Sequence, residues 1–391
     1  MMASQSPRFM GWPCVLTLVV ASIMLFSPIN VHARQKVQNM NVIDICWRGD
    51  PNWWSNRQVI AKCSVGFTGK MTDNIGPGVV QYLVTDKSDD PLNPKPGTLR
   101  YGATMIKEKV WITFAKSMRI TLTKPLLVSS YTVIDGRGAI VHIEDGACIT
   151  VQRARNVIIH GLRIHHCKAQ SPGNVMGPEG KLVTLGHTDG DAIRLVSSYK
   201  VWIDHNTLYS GQDGLIDVTR GSTNITISNN WFKNHNKVML LGHDDGFVRD
   251  KNMKVTVAFN HFGPDCHQRM PRVRHGFAHV VNNLYKGWGL YAIGGSMNPS
   301  VTSEANLFIA EKAGKKEVTW KKGYNGGDEW NIHSIKDVLE NGASFSEVGD
   351  EKDLIRPVYD LDQQFKVVDA RSLPALTGSS GAFKCTKKSR C

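Results

Sequence analysis

No Cys-x-x-Cys pair occurs in the 391 residues, which removes the usual basis for a structural zinc site. The Asp-x-Asp-x-Asp-Gly arrangement of an EF-hand loop is also missing. Past the N-terminus no apolar run approaches the ~20 residues that span a bilayer. Acidic residues are in deficit, with 34 Asp+Glu against 47 Lys+Arg and a formal charge of +13. That balance favours a polyanionic partner and leaves nucleic acid, anionic lipid and acidic polysaccharide open. Glycine, at 36 residues, falls far below the one third of a collagen-like chain. What is present, 41% hydrophobic and 21% charged residues, argues against disorder.

Arg8 precedes an apolar stretch from Trp12 to Phe26, and Val31-His32-Ala33 follows it. This is the pattern of a secretory signal cleaved after Ala33, giving a secreted chain with no membrane attachment. Seven cysteines then remain in an oxidising compartment. Their local spacings suggest bridges Cys46–Cys63, Cys148–Cys167 and Cys385–Cys391, with Cys266 left as a thiol. Asn224-Ile225-Thr226 is a glycosylation sequon inside an expected strand.

Short β-rich segments recur at 157–164, 201–208, 225–232, 255–262, 279–285 and 301–308. From the second onward each carries an Asn: Asn206, Asn230, Asn260, Asn283 and Asn306, spaced 24, 30, 23 and 23. Amphipathic helices would need three-to-four spacing over at least ten positions, and these segments lack it. A strand-bearing unit of ~20–30 residues without intervening helix points to an all-β solenoid, a parallel β-helix. Coils stacked ~4.8 Å apart would let the Asn side chains bond along a ladder. A β-sandwich is the alternative, but its strands come every ~8–12 residues.

The same register locates chemistry. Asp213 and Lys237 each lie seven residues past a ladder Asn, and Asp189 lies one 24-residue coil before Asp213. These three would form one vertical column, with Arg269 one coil further on. Asp191 shares a strand face with Asp189, and Asp217 joins them only if the chain bends near Gly214. Converging carboxylates need a counter-cation, and all-oxygen ligation suits Ca²⁺ better than zinc or copper. Separate turn aspartates beside Gly190 and Gly214 are the plainer alternative.

The blocks Trp202-Ile203-Asp204-His205, Asp213-Gly214-Leu215-Ile216-Asp217 and Arg269-Met270-Pro271-Arg272-Val273-Arg274 resemble those of the plant pectate lyases of polysaccharide lyase family 1, in the same order. The likeness runs from Cys46-Trp47-Arg48-Gly49-Asp50 through Pro96-Gly97-Thr98-Leu99-Arg100-Tyr101 and Asp135-Gly136-Arg137-Gly138-Ala139 to Tyr291-Ala292-Ile293-Gly294-Gly295-Ser296. The tail from Cys385 to Cys391 and the stretch Gly263-Pro264-Asp265-Cys266 are most similar to the conifer pollen-allergen subgroup. The resemblance implies a single right-handed parallel β-helix and Ca²⁺-dependent β-elimination of de-esterified homogalacturonan, giving 4,5-unsaturated oligogalacturonides. It implies Asp189, Asp213 and Asp217 as Ca²⁺ ligands and Asp191 as ligand of a second ion. Arg269 would be the base, and Lys237 and Arg274 would bind uronate carboxylates. An arginine base predicts an alkaline optimum, because arginine is ordinarily protonated.

Four other functions compete. A polygalacturonase would need two carboxylates ~6.5–9.5 Å apart acting as acid and base. A pectin lyase acts on a neutral ester and would not need the acidic cluster. A secreted wall-binding or allergen protein would keep the fold with little activity. Nucleic-acid binding ranks last, since the acidic cluster repels phosphates. The expected organisation is a signal at 1–33, a capping segment at 34–78 covering one end with Trp47, Trp53 and Trp54, a β-helix at 79–314, and a flank at 315–391. That flank is expected to hold a short helix over 333–341. Trp202 is expected inside a coil and Asp204 on neighbouring backbone. His205, His243 and His275 are expected to pack or to orient ligands. The protein is expected to be a monomer.

Overall fold

From residue 205 onward each coil turns on one left-handed residue followed by a polar rung. His205, Asn229, Phe259, Asn282, Ala305 and Lys336 have φ between 49° and 56°. Such a conformation costs a non-glycine residue about 1–2 kcal/mol, and the next side chain supplies the compensation. The Oδ1 atoms of Asn230, Asn260, Asn283 and Asn306 each accept from the backbone N–H of the preceding rung, at 2.8–2.9 Å, and also from its Nδ2. The periodic asparagines are therefore one continuous ladder, as the sequence implies.

The computed structural model describes Met1 and residues 39–321, 330–387 and 390–391. The expected signal segment, apart from Met1, lies outside the described residues. The strands pair in parallel and stack into a right-handed parallel β-helix with three faces. One lateral face includes Val80–Val84, Val110–Phe114, Arg155–His160, Tyr199–Asp204, Thr223–Ser228 and Lys254–Ala258. A second runs from Met118–Ile120 through Thr207–Tyr209 and Trp231–Lys233 to Val338–Glu340. The third, which carries the site, stacks Leu126–Leu127, Ile149–Gln152, Ile193–Val196, Ile216–Thr219 and Met239–Leu241. Long strands Arg272–Val281 and Ile293–Glu304 bend from the site face into the lateral face and join the two.

Strand alternation sends every second side chain into the coil. Val201 and Ile203 belong to the interior core, above Ile225 and Ile227 of the next coil. On the second face the interior becomes an aromatic column, with Phe232, Phe262, Tyr285 and Phe308 stacked at 4.4–5.0 Å between centroids. Such offset stacks add about 0.5–1.5 kcal/mol per pair beyond their burial.

The residues between those interior positions bring several corrections. Trp202 points out of the coil and joins Trp111, Val133, Ile158 and Val281 in a second cluster. Ile43, Trp47, Trp53, Ile60 and Val65 cover that cluster, so the N-terminal segment lies along the lateral face and not over a helix end. Trp54 stays 43% exposed and is not part of that cluster. The cover is tied down by polar contacts. Asn41 caps the helix Val42–Arg48 through Oδ1, while its Nδ2 donates to Asn229. Asp44 of that helix holds buried His205 at 2.7 Å, so His205 serves this clamp and not the site face. Asp204 takes side-chain partners instead of backbone ones: His160, Ser228 and Asn229 at 2.6–3.0 Å.

The expected helix over 333–341 is instead the strands Asn331–Ile335 and Val338–Glu340. Lys336, at φ 55°, breaks any helix between them, and both strands pair in parallel with the coil before. The spacing of Ile332, Ile335, Val338 and Leu339 imitates a helical period because a turn shifts the phase of two strands. With Thr319–Trp320 also paired, the coils run past residue 314 into the region expected to flank them. The disulfides join Cys46 to Cys63, Cys148 to Cys167 and Cys385 to Cys391, and Cys266 is a buried thiol that burial pushes up to about 12. Thr226 of the sequon is buried beneath the N-terminal cover, with its hydroxyl on the Val65 carbonyl. No helix among the described residues is long and apolar enough to cross a membrane.

The last rung of the ladder is an acid. Asp337 Oδ1 accepts from the Asn306 backbone N–H at 2.7 Å and from its Nδ2, and Oδ2 accepts from Ser303 and Ser334. Burial raises this carboxyl to about 6 despite those donors. The folded protein therefore holds the proton more tightly than the unfolded chain, and this group's contribution to stability is lost as pH rises from about 4 through 6. Asp337→Asn keeps the Oδ1 rung and presents an amide to hydroxyls that can turn to accept. The variant is expected to melt several degrees above the parent at pH 8 and to show no gain at pH 4, read by thermal denaturation.

Candidate active site

The site face brings carboxylates to the start of two strands. Ile193 pairs with Ile216, so successive coils here are 23 residues apart and Asp191 lies level with Gly214. The Gly214 N–H donates to Asp191 Oδ1 at 2.9 Å. A Cβ at Gly214 would stand 2.6 Å from Asp217 Oδ1 and 2.9 Å from Asp191 Oδ1, so the two acids converge over this residue and leave no room for a side chain. Bends at 212–213 and 215 supply the change of direction that brings Asp217 to Asp213.

Burial and crowding together raise two of these acids. Asp191 is raised to about 6, first by burial and then by Asp213 and Asp189, against the Gly214 N–H and Arg194. Asp217 is raised well above the carboxylate range by burial, with Asp191 and Asp213 adding to it. Arg194, the register partner of Asp217 in the coil before, and Arg269 oppose that rise. Lys237 meets Asp213 in an ion pair, as the column requires. Asp189 is the outlier. The 23-residue register puts it level with Gln212 instead of Asp213, and its side chain is 53% exposed beside His187.

The basic residues differ in their commitments. Arg269 follows the strand Cys266–Gln268 in a left-handed turn, φ 64°, and its Nε is buried without a hydrogen bond. Its guanidinium acts on the buried Tyr291 and on Asp217, lowering both. Arg274 is engaged elsewhere: Nη1 donates to the Gly242 and His243 carbonyls, and Nε faces Asp245 at 3.2 Å. His275 holds the same loop through the Asp245 carbonyl, and His243 pairs with Asp244.

Three residues at the site had no role in the sequence reading. Tyr291 stands in a quoted block, and its contact with Arg269 crosses a coil that no local spacing reveals. His235 Nε2 bonds the Asp213 carbonyl at 2.6 Å and steadies that residue. Arg194 was legible in principle, 23 residues before Asp217. Among the described residues, the one trio of His, Cys, Asp or Glu with ligand atoms within 4.8 Å is His142, Glu144 and His165 on the second face. Arg119 already holds both oxygens of Glu144 there. The four aspartates are set more widely, yet every donor among them is a carboxylate oxygen, the set that suits a hard divalent cation.

The site face of the parallel β-helix thus sets crowded carboxylates beside arginine. Residues 124–348 match the pectate lyase family. The chain is 49% identical to probable pectate lyase 16 of Arabidopsis thaliana over 91% of its length and 90% of that protein's. It is 45% identical to pectate lyase 1 of Cryptomeria japonica over 98% of its length and 100% of that protein's. The crystal structure of Jun a 1, the major allergen from cedar pollen, superposes with a TM-score of 0.83 at 46% identity, covering 88% of this chain and all of that one. A pectate lyase from Bacillus sp. N165, solved with trigalacturonate, shares the fold at a TM-score of 0.56 and 21% identity, over 82% of this chain and 98% of that one. The chain belongs to the pectate lyase family and is a polysaccharide lyase.

Proposed function

We propose that the protein is a secreted, calcium-dependent enzyme that cleaves de-esterified homogalacturonan by β-elimination. The observation that carries this reading is the convergence of Asp191 and Asp217 over Gly214, with Arg269 close enough to act on Asp217. Three disulfides fit export into an oxidising compartment.

Asp191, Asp213 and Asp217, with Asp189 at the exposed edge, would hold the cation. When bound, Ca²⁺ supplies positive charge against the substrate carboxylate and acidifies the neighbouring C5–H. Arg269, in its neutral form, takes the C5 proton. The C5–H electron pair becomes the C4=C5 double bond, the C4–O4 bond breaks, and O4 leaves with the chain and picks up a proton. No water is consumed. Lys237 holds a uronate carboxylate once substrate competes for its ammonium with Asp213, and the Tyr291 hydroxyl orients Arg269. Arg274 binds a second uronate carboxylate, and its bonds to the 242–245 loop fix the guanidinium that does so.

The test is cleavage of polygalacturonate followed by the ultraviolet absorbance of the unsaturated product, with Ca²⁺ added or with excess chelator. Absorbance that rises only with Ca²⁺ supports the reading; binding of pectate without product at any pH would make it a wall-binding protein. Gly214→Ala gives a second handle. A methyl group placed among the carboxylate oxygens is expected to raise the Ca²⁺ needed for half-maximal activity by about tenfold or more, while far-ultraviolet circular dichroism stays unchanged.

A further inference from the structure

Beside the crowded carboxylates lies a cavity of about 510 Å³ whose wall holds four arginines, Arg153, Arg194, Arg220 and Arg249, together with Gln152 and His187. The fold places two of them by repetition. Arg153 follows the strand Ile149–Gln152 and Arg220 follows Ile216–Thr219, each in a left-handed turn, φ 51° and 55°. Ser197, φ 52°, holds the same place in the coil between them. Arg153 and Arg220 therefore stand in one column, two coils or about 10 Å apart. Among the described residues no carboxylate forms an ion pair with Arg153, Arg220 or Arg249. Arg194 alone is balanced, through its action on Asp191 and Asp217, and it joins the cavity to those acids.

Guanidinium groups gathered in a concave wall without counter-charges repel one another and attract anions. A single small anion cannot reach groups spread over two coils, whereas a chain bearing a carboxylate on each unit can meet them in turn through the arginine fork. We propose that this cavity binds uronate residues of the pectate chain away from the bond being cleaved, and so selects stretches of consecutive free carboxylates. This rests on the pectate lyase reading and adds a binding surface separate from Lys237, Arg269 and Arg274.

The test uses the full chain in excess chelator, so that binding is measured without turnover. The titrants are a roughly ten-residue oligogalacturonate and its fully methyl-esterified form, followed by calorimetry at low salt. Arg153→Gln/Arg220→Gln is expected to weaken binding of the acid form on the order of tenfold or more, and to leave binding of the ester unchanged. An unchanged affinity for the acid form, or a parent protein that binds it no better than the ester, overturns the proposal. Arg249→Gln, in the same lining, is expected to shift affinity in the same direction and replaces the double variant if that one fails to fold. Cleavage of polygalacturonate by the parent with Ca²⁺ is run in parallel. Its absence would sink the pectate lyase reading itself, whereas cleavage with unchanged affinity in the variants sinks only the cavity.

Discussion

Arg269→Ala is expected to lower the rate of unsaturated-product formation by about 10²–10⁴-fold, the usual contribution of a positioned base, with little change in the thermal midpoint. Arg269 sits in a left-handed turn that Ala occupies at similar cost, and its Nε makes no hydrogen bond whose loss would weaken the fold. What the substitution removes is the group beside Tyr291 and Asp217. Arg269→Lys keeps a cation but loses the planar fork, and it is expected to stay well below the parent across the alkaline range. If both variants turn over polygalacturonate at the parental rate, Arg269 is a surface cation beside a proline turn. The pH profile gives a separate check: with arginine as base, activity should climb toward alkaline pH, and rapid turnover at pH 5 would count against it.

Asn260→Ala carries the largest expected loss of stability. The fully buried Asn260 side chain receives the N–H and Nδ2 of Asn230 and donates to the Ile227 carbonyl and to Asn283 Oδ1. Truncation leaves these groups without partners in a dry coil corner, at about 1–3 kcal/mol for each unsatisfied buried group. A total of about 3–5 kcal/mol is expected from urea denaturation. Because neighbouring coils support one another in a solenoid, amide exchange of Asn230 and of the adjacent coil should accelerate more than that of residues 110–135. An exposed asparagine replaced in the same way should leave the transition within about 0.5 kcal/mol.

How much was legible in the sequence depended on whether a signal was local or repeated. The asparagine ladder was legible because each rung needs the same amide at the same turn, and only Asn both accepts from one rung and donates to the next. Asp337 is not legible in the same way, because it continues the ladder with a different residue. The disulfide pairs were legible from short loops. The outward direction of Trp202 is not legible, because strand alternation tells which residues share a face but not which face is the inside. Here the outward one is covered by a terminal segment distant in sequence. The acidic cluster was legible to within one residue. The ladder spacing of 24 carried over to the site face missed a register of 23, which displaces Asp189 and aligns Asp191 with Gly214. Tyr291 and the arginine cavity depend on contacts between coils that no single stretch of sequence displays.

Mass spectrometry of the products tests the central claim most directly. Polygalacturonate digested in ¹⁸O-labelled water should yield new non-reducing ends that absorb in the ultraviolet, fragments lighter by one water than hydrolysis products, and no incorporated label. Incorporation of ¹⁸O at the new reducing ends, with no unsaturated fragment, would show hydrolysis and contradict the account.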